Sequence, residues 1–561
     1  ENVTNKKIIN YDWDNNEVRE KRTPNSAERR YQKTLSKNFT LYADYKKNFN
    51  DRHDLSVMVG TSHESENYDR FTAKRINFDQ QENMSLQLGS AQDQNAWSEG
   101  NQWTINSFFS RVNYTFANKY VIEGTIRADG SSRFDPDHRW GWFPGVNAAW
   151  RVGEEGFMKR LGWFEDLKVR ASYGEMGNQS GIGLYDYIQL ISLSNDYYPF
   201  GTGVKGQMAT SGNIISTSRT WETIQTTNVG FDFSTLNNRL YGSFDYFWKE
   251  NKNMLIPKTY PSMLGADAPS TNSGHLSIHG WEISLGWRDQ IKDFSYSVRF
   301  NISDAKNKVV DRVGSNLIQL GNNETPTGYP LNSYFGYEFD GIIQNEQELE
   351  AYKSRFSEGG IPGDLSVGDA MYKDLDGDGK LSVLGDGKEG SGDVKYLGDK
   401  NPRYNFGFNL SMAWKGFDLS AFIQGVGRRT MFLEGESRCP MPEAWYQSAE
   451  YWYGKTWTPE RTDAQYPAIT LKDKRNYNYY VSTNTKFNVA YARLKNLQFG
   501  YTIPQTLTSK AGLQKVRVYF SGEDLFEVHN TPNGWDPEEN SGSITSYPFT
   551  RNYSFGINVV F

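Results

Sequence analysis

Alternation of apolar and small polar residues is the dominant pattern in this chain. Near its end, Tyr553, Phe555, Ile557, Val559 and Phe561 alternate with Ser554, Gly556, Asn558 and Val560. Successive side chains of a strand point to opposite faces, so one face is an unbroken apolar stripe and the other stays small and polar until its last member. The pattern recurs at Tyr404, Phe406, Phe408, Leu410, Met412 and Trp414, against Asn405, Gly407, Asn409, Ser411 and Ala413. After Lys415-Gly416, Phe417, Leu419, Ala421 and Ile423 alternate with Asp418, Ser420, Phe422 and Gln424, which predicts a hairpin with a tight turn. Trp281, Ile283, Leu285 and Trp287 pair in the same way with Phe294, Tyr296, Val298, Phe300 and Ile302. Other pairs join through Ala117-Asn118-Lys119 and Asn237-Asn238.

Strands of ~9–11 residues with an apolar outside and a polar inside are the repeating unit of an outer-membrane barrel. The pattern predicts an all-β, transmembrane antiparallel β-barrel contributing about fifteen spanning strands. Short turns fall near 49–52, 117–119, 236–238, 290–293 and 415–416, with longer connections on the same side at 153–164 and 503–514. Long Gly-, Asn-, Ser- and Asp-rich stretches occupy 66–102, 176–220, 252–277, 304–402, 429–485 and 525–550. Short periplasmic turns and long extracellular loops are the asymmetry expected of such barrels. The strand ending near Ile302 rises outward and that starting at Tyr404 descends, so 304–402 holds an even number of crossings, most simply none. It reads as one extracellular loop, with a helix suggested at Glu346–Ser357. By the same parity, the first clear strand, near Asn38–Lys47, starts outside. Barrels have no open edge in lipid and single-chain bacterial ones usually have even strand numbers. The expectation is that N-terminal strands are missing and that residues 1–561 cannot close alone.

Composition narrows the class. Mean hydropathy is −0.72, and no run of ~20 apolar residues exists, which excludes a helical membrane protein. An aromatic content of 15% suits girdles at both membrane interfaces. A net charge of −6 gives no reason to expect nucleic acid as a partner. Cys439 is the single cysteine, so no internal disulfide forms. Neither a G-x-S-x-G elbow nor a Cys/His cluster occurs, so the chain is read as not an enzyme.

Further segments carry a resemblance. Arg127-Ala-Asp-Gly-Ser-Ser-Arg-Phe134 is followed by Trp142-Phe-Pro144, Trp150-Arg151, Leu167-Lys-Val-Arg170, Gly177-Asn178 and Trp221-Glu222. Gly280-Trp-Glu282, Tyr372-Lys-Asp-Leu-Asp-Gly-Asp-Gly379, Trp457-Thr-Pro-Glu460, Arg493-Leu-Lys-Asn-Leu497 and Asp536-Pro-Glu538 continue in order. Across about residues 100–561 the chain resembles the SusC-like (SusC/RagA) TonB-dependent transporters of Bacteroidetes. The resemblance implies a Gram-negative outer-membrane location and a barrel of about 22 strands filled by an N-terminal plug. It also implies a TonB box, a SusD-like lipoprotein lid, and uptake of oligosaccharides or peptides. The plug and TonB box are not found in residues 1–561 and are expected, with the first strands, to be supplied by a missing segment.

Two stretches could bind ligands. Asp374, Asp376 and Asp378, with Gly379 next and the Lys380 carbonyl after it, reproduce positions 1, 3, 5, 6 and 7 of an EF-hand loop. Position 12 is Gly385 where a Glu is expected, so Asp386, Glu389 or Asp393 would complete the shell. No cofactor is required; the alternatives are a structural Ca2+ loop and an acidic turn kept tight by Gly377 and Gly379. Trp445, Tyr446, Trp452 and Tyr453 in 429–485, and Tyr197 and Tyr198 in 176–220, offer flat faces for sugar rings, or pack against other loops or the lid. Active import is the leading reading. A passive outer-membrane pore or adhesin, and a soluble β-rich glycan-binding protein, are the alternatives.

Overall fold

Where each strand is followed by a connection too short to cross the sheet, the next strand lies antiparallel beside it. A computed structural model describes residues 2–6, 10–12, 17–19, 25–79, 82, 84–92, 94–194, 199–200, 204–205, 208–212, 214–257, 263, 269–312, 325–384, 392–442, 448–470, 473–539 and 549–561. One sheet holds sixteen strands in sequence order. Asn2–Lys6 pairs with the start of Ser26–Phe49, and fourteen further strands follow, down to Asn552–Val560. Every neighbouring pair is antiparallel. Among the described residues no helix is long and apolar enough to cross a membrane; the crossing elements are strands.

The tight turns have the backbone a right-twisted hairpin needs. Asn50 and Asp51 (φ 53° and 56°), Ala117 and Asn118 (52° and 57°), Asn237 and Asn238 (58° and 61°), and Lys415 and Gly416 (45° and 91°) all have positive φ. Two central residues with φ above zero define the type I′ turn, whose twist matches its flanking strands. The two longer connections on this side carry short helices: Gly156–Leu161 ends in the left-handed Gly162, and Gln505–Thr508 runs into a 3-10 turn, Ser509–Ala511, that ends in the left-handed Gly512.

Register keeps the apolar stripes continuous. Phe406, Ile302, Ile283, Phe244, Phe231, Val169, Trp150, Tyr120 and Phe116 form one row across neighbouring strands. Phe555 and Phe561 are each 83% exposed. A belt this wide far exceeds the few hundred Å2 of apolar patch that a water-facing surface tolerates, so it is the lipid face.

Among the described residues of 304–402 no further strand joins the wall: Phe294–Asp311 pairs directly with Arg403–Trp414, and the suggested helix forms at Glu346–Arg355. Expected loop boundaries are corrected at several points, beginning with Phe294–Asp311 and Lys515–His529, which run into 304–402 and 525–550. Strands reach Ile76 and resume at Gln94, inside the expected loop 66–102, and reach Pro257 and resume at Ser270, inside 252–277. The first strand likewise spans Ser26–Phe49, well beyond Asn38–Lys47. Backbone ladders satisfy N–H and C=O groups whatever the side chains are, so pairing continues above the lipid where apolar alternation stops. At ~3.3 Å per residue, a strand of 24 residues is roughly 80 Å long, against ~9–11 residues needed to span.

Candidate functional site

The extracellular end of the sheet carries a folded cap built from loops far apart in sequence. Loop 304–402 supplies Tyr337, Ile343, Leu349, Tyr352, Phe356 and Tyr372 to one core, and loop 429–485 inserts Tyr477 into it. The hydroxyls of Tyr352 and Tyr477 lie 2.6 Å apart, and the Tyr372 hydroxyl donates to the Tyr477 carbonyl at 2.8 Å. Asn478 accepts from the Ala370 N–H at 2.9 Å and donates to Asp369 at 2.8 Å. Trp457 Nε1 donates to Gln344 at 3.0 Å. Burial pushes the Tyr352 hydroxyl up to about 12 and that of Tyr372 well above the ordinary phenol range, so both stay neutral at any physiological pH.

A second core joins 429–485 to the last loop: Met431, Leu433, Cys439, Tyr451, Trp452, Tyr466, Tyr479, Val489 and Trp535. Trp452 is 3% exposed, with its ring 4.9 Å from that of Tyr466. Of its two expected roles, sugar platform and packing against other loops, burial removes the first, because a ring enclosed on every side offers no face to a ligand. Tyr453, next in sequence, is 90% exposed. Trp445, Tyr446, Tyr197 and Tyr198 lie outside the described residues.

The acidic loop folds back on the helix end. Asp374 accepts from Gly377 and Gly379 N–H at 2.7 and 3.0 Å, and both glycines have φ of 76°. Asp378 accepts from Lys380 N–H at 2.8 Å, and Glu358 N–H donates to the Gly379 carbonyl at 3.1 Å. Asp393 is fully buried and accepts from Leu375 and Ser382 N–H at 2.6 and 2.8 Å. Burial is the largest cause raising its carboxyl above the usual range, and the charges of Asp376 and Asp374 add to it. One oxygen each from Asp374, Asp376 and Asp393 falls within a span of 4.8 Å; the Asp378 carboxylate is not in that group. Calcium takes ~6–8 oxygen ligands, so these three supply part of a shell. Asp386 and Glu389 lie outside the described residues.

Sequence motifs that looked separate meet at two further points. Phe134, Phe143 and Trp221 pack with Ile182 into one buried cluster, and Trp221 Nε1 donates to the Arg139 carbonyl at 2.8 Å. Gly177 belongs there because a Cβ would lie 2.2 Å from the Phe143 ring. At the other point, Arg493 is 1% exposed and faces Asp536 and Glu538, at 2.5 and 3.3 Å, with its guanidinium 4.4 Å from the Phe549 ring centre. Lys495 holds Asp524 at 2.7 Å and Glu538 at 3.1 Å. These contacts fasten the last loop to the strand tops. On the polar face of the wall, Arg170 reaches both oxygens of Asp245 at 2.6 Å and also Asp232, linking three strands.

Residues 3–525 match the family described as TonB dependent receptor-like, beta-barrel. The chain belongs to that family. It is an outer-membrane β-barrel chain of the SusC-like kind. It is 32% identical over 558 residues to the TonB-dependent receptor P3 of Formosa agariphila, covering 94% of this chain and 52% of that protein. To the TonB-dependent receptor SusC of Bacteroides thetaiotaomicron it is 26% identical, over 93% of this chain and 50% of that protein. The fold matches the RagAB peptide transporter structure with a TM-score of 0.78 at 23% identity, covering 96% of this chain and 56% of that one. The chain thus spans about half the length of the relatives it matches.

Proposed function

We propose that this chain forms the wall and extracellular cap of an active outer-membrane importer for oligosaccharides or peptides. In this reading TonB, acting through a plug that occupies the lumen, drives release, and a SusD-like lipoprotein covers the extracellular mouth. The observation that carries it is the pairing of a lipid-belted strand wall with a large, cross-linked loop cap. A wall alone suits a passive pore, whereas a built extracellular surface suits ligand capture before entry. No bond in the cargo is made or broken. The test is uptake of labelled oligosaccharides and peptides by cells carrying the whole transporter, with and without TonB. Loss of uptake without TonB is expected; uptake that persists would favour the passive pore.

For the acidic loop we propose a weak structural calcium site on Asp374, Asp376 and Asp393, ordering the cap without taking part in transport. The observation favouring it is that folding brings the buried Asp393 beside the first two. Extracellular modules of this kind bind at about 10⁻⁴–10⁻³ M. Calcorimetric heat on adding calcium, lost in Asp376→Ala, is expected; no heat would leave the segment as an acidic turn.

A further inference from the structure

The wall has a gap. Phe294–Asp311 pairs with Arg403–Trp414 only as far as Ser303 opposite Asn405. Pairing on that side resumes higher up, where Gly328 N–H donates to the Val309 carbonyl and Val309 N–H to that of Tyr329, at 2.8 and 2.9 Å. Between these points, residues 304–308 have no ladder partner on that side among the described residues. A cavity of about 400 Å3 occupies the gap, bounded by this strand, the loop residues Pro330, Tyr396 and Asn401, and the tops of the next two strands.

Its charge is one-sided. Lys306, Lys308, Arg403, Arg428 and Arg429 line it, against the single carboxylate of Asp399. Two of the five cations are already engaged: Arg403 grips Asp304 with both nitrogens, and Arg429 donates to the Pro537 and Glu539 carbonyls at 2.7 and 2.8 Å. Asp399 is engaged too, accepting from the Tyr396 hydroxyl at 2.7 Å and Asn401 N–H at 3.0 Å. Among the described residues no carboxylate lies within ion-pair distance of Lys306, Lys308 or Arg428. Arg428 continues the polar face of Asp418 and Ser420, whereas Lys306 and Lys308 continue the face of Phe300 and Ile302. Cations therefore reach the gap from both sides of the wall. Like charges held together in a concave site are stabilised by a counter-charge.

We infer that this cavity is an oxyanion site, binding a carboxylate, sulfate or phosphate group through Lys306, Lys308 and Arg428. The oxyanion comes either from an acidic oligosaccharide in the mouth or from the phosphates of an outer-leaflet lipid. The site stands independently of the import reading, because its test is equilibrium binding and requires no transport. The whole transporter, purified in detergent, is titrated with trigalacturonate, with neutral maltotriose, and with lipid A bearing or lacking its phosphates. Native protein is expected to bind trigalacturonate or phosphorylated lipid A, whichever is the source, and neither maltotriose nor dephosphorylated lipid A at this site. Removing two charge-assisted hydrogen-bond donors in Lys308→Gln with Arg428→Gln should weaken the anion about tenfold or more. Lys308→Arg with Arg428→Lys should retain it. If the glutamine pair fails to assemble, the exposed Lys308→Gln alone is compared with Lys308→Arg. Equal binding of neutral and anionic probes, or unchanged anion affinity in the glutamine variants, would overturn the inference.

Discussion

The wall and the cap of this protein are stabilised by different kinds of contact. In the wall, each strand bonds to the next strand in sequence, and its apolar side chains point outward, where Phe555 stays 83% exposed to be covered by lipid. In the cap, Tyr372 and Tyr466 are fully buried, and the bonds that hold it join residues such as Tyr352 and Tyr477, 125 positions apart. The wall is built for a non-aqueous surround, whereas the cap is an ordinary water-facing core assembled on top of it. A substitution should therefore damage one without the other.

The largest separation is expected from Tyr372→Ala. Removing a fully buried aromatic ring costs about 3–5 kcal/mol. The cap should become protease-sensitive while the heat-modifiable gel mobility of the assembled barrel is kept; loss of both together would break the distinction. Next, Leu410→Arg places a charge on the lipid face and should cost about 2–4 kcal/mol in the wall, whereas Ser411→Arg, one residue on and facing inward, should assemble normally. Recovery in the outer-membrane fraction measures both. A smaller effect is expected from Asn478→Ala, which removes the bonds to the Ala370 N–H and to Asp369 and should cost about 1–3 kcal/mol. Limited proteolysis between the two loops reads it, with the wall unaffected.

The smallest effect concerns pH. Hydrogen bonds from Lys373 and Lys395 hold the Glu338 carboxyl down to about 2. Because the folded value lies below the unfolded one, this contribution is complete above about pH 5 and is lost only as pH falls toward 2. Cap melting should not change between pH 8 and pH 5 on account of this pair, and Glu338→Gln should flatten any decline measured below pH 4. A native decline left unaltered by the substitution would assign it to other groups.

Little of the cap was legible in the sequence. The aromatic run that includes Trp452 and Tyr453 reads as core or as ligand platform, and its pattern does not say which residue does which, since neighbours in sequence end up 3% and 90% exposed. Among the acidic residues, Asp376 and Asp378 look equivalent by spacing, yet only Asp376 joins Asp374 and Asp393. The basic cavity carried no signal, because Lys306, Arg403 and Arg428 belong to three different strands and its position follows from where their ladder stops.

The sequence by itself determined the spanning part of the wall: which residues alternate there, which face lipid, where the tight turns fall, and that 304–402 adds no crossing. These are local properties, set by an alternation of period two and by residues that tolerate positive φ. Only the tertiary structure decided how far the strands rise above the membrane, that Trp452 is core, and that Arg493 meets Asp536. Each depends on backbone pairing indifferent to side chains or on contacts between distant segments, and neither leaves a periodic trace in the chain.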